Sequence, residues 1–329
     1  MRYYDLILTK PGDTKPIRRW TTHPNGQFDP GALLLEFDAA VAPYATPTGG
    51  ATVTLHGVSL LDLNEAQDWG IHLDGNAIVP GLNLQLFGGM KRGLPLANPN
   101  QSGLILSGQI IQSFGNWEGT EMTLEFVVSP STYSIDTPGN FVLNWRAGTE
   151  LSTALQNCLS VAYPTLPIVM NIGSGLVLDH DEIHVASTLE GLAIWLLQFT
   201  DKHLLNPVNL YVQAGQVIAI DPSYRPTPKQ IAFTDFVGQP TWIAPRTMQA
   251  KMIMRGDVQM GDRLLLPQGM QDSPGAIAMT QNAWLPSSRA KTKLTFNGPF
   301  QVLAIRHVGN SRSTDGGSWS TIVNALQEV

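Results

Sequence analysis

GPFQVLAIRHVGNSRSTDGGSWSTIVNAL, Gly298 to Leu326, is the stretch on which the reading of this chain turns. An apolar run leads into a tip rich in glycine and serine, and Trp319 then opens a second run. An earlier stretch, Gly103 to Val128, reads GLILSGQIIQSFGNWEGTEMTLEFVV and repeats that order with a shorter tip. Ile, Val, Leu and Phe at strand density flank tips broken by Gly and Asn, so each stretch predicts a β-hairpin. Two like hairpins, one in each half of the chain, predict two copies of one small β-domain. Their spacings differ, so the echo is one of architecture. A repeated barrel without a catalytic motif points to a building block before it points to an enzyme.

Upstream of the first hairpin, strands are expected at Tyr3 to Thr9, from Ile17, at Ala32 to Asp38, at Ala51 to Val58 and at Ala77 to Phe87. Leu60 to Trp69 predicts a short helix that plugs the domain, with Ser59 as N-cap and Asp62 at the third helical position. The middle of the chain changes period. Leu151, Leu155, Cys158, Leu159 and Ala162 form the stripe of an amphipathic helix that Pro164 ends. A second helix is expected to open at Ser187, with Glu190 completing a capping box and Leu189, Leu192, Ala193, Leu196 and Phe199 as its stripe. Short strands are expected between them, at Ile168 to Ile172 and Leu176 to Leu178. From Asn209 the chain is β again: a hairpin around QAGQ at 213–216, then alternation at Met248, Ala250, Met252 and Met254, and a short strand at Leu264 to Leu266. The expected organisation is mainly β (α+β): an antiparallel β-barrel domain over 1–140, a small α/β insert over 141–206, and a second β-barrel domain over 207–329. At about 150 residues per domain, 329 residues have room for this plan.

Composition narrows the function. Apolar residues make up 43% and there are 31 Gly and 23 Pro, as in a folded, turn-rich protein. Charged residues are only 14%, against about 25% in ordinary soluble domains, which predicts surface buried between subunits. A net charge of −6 argues against a general nucleic-acid binder. One cysteine, Cys158, excludes an internal disulfide and fits a reducing compartment of synthesis. MRYYDLILTK is too short in its apolar core for a signal peptide and no run approaches membrane-spanning length, so a soluble chain made in the cytosol is expected.

Sites are mostly sought in vain. Asp179, His180, Asp181, Glu182 and His184 are the densest set of candidate metal ligands, yet a polar turn is the plainer reading because a third fixed ligand is lacking. Asp257 to Asp262 lacks calcium-loop spacing and reads as a turn. Arg255-Gly256-Asp257 spells an adhesion tripeptide of a kind expected by chance. Cys158, on a buried stripe, reads as packing. There is no GxSxG, no phosphate loop, no dinucleotide fingerprint and no HExxH. The eight tryptophans are spread along the chain, unlike a carbohydrate platform, and read as core or interface anchors, Trp195 as core. No catalytic, cofactor or metal residue is assigned.

The paired hairpins, the insert and two phrases resemble the baseplate hub protein of phages with contractile tails. One phrase is Leu294 to Leu326, whose Gly298, His307, Gly309, Gly316, Trp319 and Thr321 match the closing hairpin of that family's last barrel. The other is MQAKMIMRGDVQMGDRLLLP, Met248 to Pro267, which looks like a strand, turn and strand of the same barrel. The phrases are short and degenerate, and Trp-x-Thr hairpins also occur in secretion-system spike proteins and siphophage tail proteins. The resemblance implies a virion protein of the tail baseplate, assembled in the bacterial cytoplasm and acting in genome ejection without catalysis. Two tube-like barrels per subunit would alternate around a homotrimer, giving a pseudo-hexameric ring between the six-fold tail tube and the three-fold central spike. The implied partners are tail tube or tail-terminus proteins, the spike, the tape measure protein and other baseplate proteins; DNA would pass through without specific binding, and no membrane insertion is implied. The chain departs from larger hubs in being compact, with no obvious lytic domain. A receptor- or glycan-binding tail-tip protein, adhesin or polysaccharide hydrolase, is the alternative; a tube subunit would need one barrel and about half this length. The loop Gly88 to Gly103 and the excursion Gln268 to Arg289 are the expected contact segments.

Overall fold

The computed structural model describes residues 1–41, 50–91, 100–129, 140–164, 166–267, 296 and 298–328. The excursion over 268–289, the centre of the loop over 88–103 and Trp284 lie outside them. The chain is mainly β, with large antiparallel sheets and three α-helices among the described residues.

The first half contributes β1 (Arg2–Thr9), β2 (Pro16–Thr21), β3 (Leu34–Val41) and β4 (Ala51–His56). Helix α1 (Leu60–Glu65) follows, continued by a 3-10 turn over Ala66–Asp68. As its sequence predicts, the Ser59 hydroxyl caps it, accepting from the Asp62 amide at 3.1 Å. Ala66 and Trp69 are buried, and Trp69 stacks on Phe126. A small hairpin, β5 (His72–Asp74) and β6 (Ala77–Val79), interrupts the stretch that reads as one strand over 77–87. Pro80 and Gly81 break it: a side chain at Gly81 would sit 1.9 Å from the Ile110 carbonyl oxygen. Then come β7 (Asn83–Met90), β8 (Gly103–Glu118) and β9 (Glu121–Ser129), β8 and β9 forming the predicted hairpin.

The insert is built from β10 (Phe141–Trp145), α2 (Leu151–Ala162), β11 (Ile168–Asn171), β12 (Glu182–Ala186), α3 (Leu189–Leu204), β13 (Asn209–Gln213) and β14 (Gln216–Ile220). Both predicted stripes are buried in one core with Phe141, Leu143 and Trp145. Two local expectations are corrected. The cap of α3 is Thr188, which accepts from the Gly191 amide at 3.0 Å; this puts Gly191, not Glu190, at the third helical position, so the capping box is not made. The 176–178 stretch forms only a single bridge, Glu150 to Val177. The hairpin β13–β14, expected to begin the second β-domain, joins the insert instead. β11 pairs in parallel with β14, and Leu210, Val212, Val217 and Ala219 enter the insert core. Its turn residues Ala214 and Gly215 both have positive φ, which suits a tight hairpin.

The second half supplies β15 (Lys229–Gln230), β16 (Thr241–Ala244), β17 (Thr247–Ile253), β18 (Arg263–Leu265), β19 (Pro299–Asn310) and β20 (Trp319–Gln327). Met248, Ala250 and Met252 alternate inward on β17 as predicted. The two halves are not separate sheets. The strand order runs β16-β17-β20-β19-β3-β4-β9-β8-β7-β1-β2, with β18 added to β19 and β15 to β18. The join is possible because β19 is twelve residues long: its first part pairs with β18, and Ile305 to Asn310 pair with Val41 to Glu36 of β3. The path ends at β2 and β16 and closes on itself in neither half, so the described strands form one large sheet instead of two closed barrels. Beneath it lie two cores. One gathers Tyr4, Leu35, Val53, Leu84 and Phe126, the other Trp242, Met248, Leu264, Phe300 and Val323.

Candidate functional site

The seam between the halves is where the two phrases singled out in the sequence meet. Trp319 opens β20 yet packs in the core of the first half, its ring edge-on to Phe37 at 5.3 Å and its Nε1 donating to the Gly89 carbonyl at 2.9 Å. Opposite it, Gly309 of β19 lies so close to β3 that a Cβ would sit 2.1 Å from the Phe37 ring. The same close approach recurs one turn away. Gly256 donates its amide to Gln101 at 3.0 Å, and a side chain there would meet the Gly88 carbonyl at 2.4 Å.

Behind this contact lies a buried polar cluster. Arg255, 1% exposed, donates from Nη1 to Asp235 at 3.1 Å and from Nε and Nη2 to the two oxygens of Asp257 at 2.8 and 2.9 Å. Asp235 is fully buried. The Arg255 amide donates to Thr321 Oγ1 at 2.8 Å, and that oxygen shares a hydrogen bond with His307 Nδ1 at 3.0 Å. Burial pushes the His307 imidazole down to about 4, against a smaller upward pull from Asp257, so the ring is neutral at physiological pH. At the rim, Arg306 donates from Nε to Asp38 at 2.8 Å and holds that carboxyl below its ordinary range. Asp235, Arg255, Asp257, His307 and Thr321 are engaged with one another within the second half, while the links across the seam are those of Trp319 to Gly89, Gly256 to Gln101 and, at the exposed rim, Arg306 to Asp38.

His307, Gly309, Trp319 and Thr321 are thus brought together, joined by the first phrase's partner segment through Met254, Arg255 and Gly256. Gly298, with φ +80°, turns the chain into β19, and Gly316 lies in the 3-10 turn before Trp319. Arg255-Gly256-Asp257, expected to be a chance match, supplies in its arginine the centre of the cluster. The signal lay in a charged residue beside the inward-alternating Met248 to Met254. Asp235, more distant in sequence, carried no signal.

The other candidates do not converge. His180 bonds Asp179 at 2.7 Å on the surface, while His184 on β12 stacks on Trp195 at 4.1 Å. Among the described residues no three of His, Cys, Asp and Glu are grouped to hold a metal ion. Asp262 bonds Lys229 and the Gln259 amide, closing the 257–262 turn. Burial raises the Cys158 thiol to about 11. Trp145, Trp242 and Trp319 are buried; Trp195 is only half-buried, flanking the insert core, and Trp117 is exposed. No helix of the described residues is long and apolar enough to cross a membrane.

No family model and no curated protein matches this sequence. Solved structures do match its fold over nearly its whole length. One is the E. coli c3393 protein, described as a component of the type VI secretion system with structural similarity to the T4 bacteriophage tail proteins gp27 and gp5; the identity is 8% and the TM-score 0.54, over 98% of this chain and 77% of that one. Another is the tail protein from Neisseria meningitidis MC58, at 9% identity and a TM-score of 0.55, over 99% and 97% of the two chains. At so low an identity the likeness is one of fold alone: this chain shares its fold with these tail and secretion-system proteins.

Proposed function

We propose that this chain is a structural hub of a phage or phage-like tail. The observation that carries the proposal is the end-to-end fold likeness to tail and secretion-system proteins, which spans the β halves and the insert alike. In this reading three copies form a ring around a channel for the tape measure protein and DNA. The two β halves of each copy supply six similar positions facing a six-fold tube, while the trimer faces a three-fold spike. The strand path supports it. Each copy offers open edges at β2 and β16, and joining β2 of one copy to β16 of the next removes both in a closed ring. The low charge content fits surfaces buried between subunits. The contacts of Trp319 with Gly89, Gly256 with Gln101 and Arg306 with Asp38 hold the halves of one subunit in fixed relation, as a symmetry adapter requires. Catalysis has no part in this role, and lytic activity is left to a partner.

Mass photometry and negative-stain imaging of the purified full chain test the proposal. A trimer whose class averages show a ring with six lobes is the expected result. A monomer that binds glycans on an array would overturn it in favour of a receptor- or glycan-binding tail-tip protein.

A further inference from the structure

The β8–β9 hairpin outruns its sheet. β7 covers β8 only as far as Gln109, and β4 covers β9 only from Thr123 onward. Beyond Ile110 the arm is propped from one side by α1 and the turn after it: Gly115 lies against Leu63, and the Ile71 amide donates to Ile111 at 3.1 Å. At this end the chain leaves large apolar side chains in solvent. Phe114 and Trp117 (63% exposed) stand on opposite faces of the arm, Trp117 on the face that Gly115 turns to α1, with Leu60 and Leu61 on α1, and Leu73 (70% exposed) faces Ile78 across the β5–β6 hairpin. Exposed hydrophobes gathered on neighbouring elements mark an interaction surface.

Charge says what the surface meets. Residues 51–90 and 101–129, which build this end, contain no Lys or Arg. Asp68, Asp74, Glu118, Glu121 and Glu125 are exposed there, and Arg18, which reaches the region from β2, is taken by Asp62 and Glu65 at 2.7 Å each. At the tip Glu118 and Glu121 are directly paired across the strands, an arrangement of like charges that weakens a hairpin standing alone. His56, 3.7 Å from Glu121, offsets this only when protonated. A cationic partner relieves it. Two copies of the chain meeting through this end would oppose acid to acid.

We infer that the β8–β9 arm, with α1 and the β5–β6 hairpin, is a docking surface for a different protein that presents a basic face bearing apolar side chains. The surface lies at the far end of β8 from the seam, about 50 Å along a sixteen-residue strand, so a protein docked there does not disturb the junction. The inference rests on the tail-hub reading for the partner's being another tail protein, and on the surface alone for its chemistry.

The test uses the full-length chain and two labelled probes, an amphipathic Lys/Leu peptide and its Glu/Leu counterpart, followed by fluorescence anisotropy at low and high salt. The Lys/Leu peptide is expected to bind, more weakly at high salt, and the Glu/Leu peptide not to bind. Phe114→Ser with Trp117→Ser should weaken binding about tenfold, and Glu118→Gln with Glu121→Gln should flatten the salt dependence. Circular dichroism melts confirm that the variants are folded. Failure of the Lys/Leu peptide to bind, equal binding of both peptides, or unchanged binding by folded Phe114→Ser/Trp117→Ser would overturn the inference. So would self-association of the wild type that the same variant abolishes, since the occupant would then be a second copy. The oligomer mass is read on the same samples: peptide binding by a chain that never trimerises counts against the hub reading alone, and loss of binding by a variant that still trimerises bears on the arm alone.

Discussion

Replacing Arg255 with Met keeps the volume and stem of the side chain and removes its charge. The guanidinium spans two carboxylates, Asp235 with no exposure and Asp257 with a side chain 14% exposed, at 2.8 to 3.1 Å. Two buried negative charges are then left beside one another. Removing one partner of a buried pair costs about 3–5 kcal/mol, and most of that is the stranded charge. The expected result in urea unfolding is therefore a loss of that size in the unfolding free energy at neutral pH. A second substitution identifies its origin. Asp235→Asn neutralises the deeper carboxylate, so the double variant Arg255→Met/Asp235→Asn should be less unstable than the sum of the two single ones, by about 1–3 kcal/mol of coupling. Because the pair is shut away from solvent, added salt should barely change that coupling, whereas it would erase an exposed pair such as Arg306–Asp38. A loss under about 1 kcal/mol for Arg255→Met, or a coupling near zero, would refute the view that this buried cluster stabilises the second half.

The folded-state pKa of His307, about 4, lies below its unfolded value of 6.5, so on acidification the unfolded chain takes up the proton first. Stability should be full above pH 6.5, fall between pH 6.5 and 4 by about 3 kcal/mol from this residue (about 1.36 kcal/mol per unit over the gap), and level off below; a His307→Gln variant should lack that slope in a series of urea melts. Gly309→Val drives a branched side chain into the Phe37 ring and should cost about 1–3 kcal/mol or more in the same assay, while Phe37→Ala combined with it should recover part of the loss; a silent Gly309→Val would mean that β3 and β19 are not in close register.

Much of this fold is legible because local signals and burial agree. Both hairpins follow from runs of β-formers around Gly/Asn tips, α2 from its five-residue stripe, and α1 from the Ser59 cap, all interactions made within a few residues. The misreadings share a different cause. β13–β14 is a hairpin in any reading, but its membership in the insert is decided by a parallel pairing of β14 with β11, about fifty residues earlier, which no local pattern encodes. The cap of α3 falls on Thr188 because Ser187 and Thr188 are chemically near-equivalent, and packing of Leu189 and Leu192 selects the register. β10 and β12 were passed over because Phe141–Trp145 and Glu182–Ala186 each alternate over only five residues. The seam was half legible. His307, Gly309, Trp319 and Thr321 lie within one hairpin, whereas Asp235, Phe37 and Gly89 reach them only through the fold.

Why polar contacts cross the seam when apolar ones would be at least as stable is a question about register. β19 meets β3 over six residues, Ile305 to Asn310 against Val41 to Glu36, and both strands continue beyond the contact. A slip by one residue would turn the apolar faces outward, so burial forbids it. A slip by two would keep every face correct, and hydrophobicity alone resists it weakly. The polar contacts do not tolerate it. Arg306 would lose Asp38, Asn310 would lose Glu36, and Gly309 would move off the Phe37 ring, exchanging the one position without a Cβ for His307 or Ser311. Thr321, held by both the Arg255 amide and His307, ties that register to β17 on the far side of β20. The contacts of Arg306, Asn310 and Gly309 with β3 therefore set the relative position of the two halves to a single value, and that definition is what polar groups add where burial alone would leave two registers nearly equivalent.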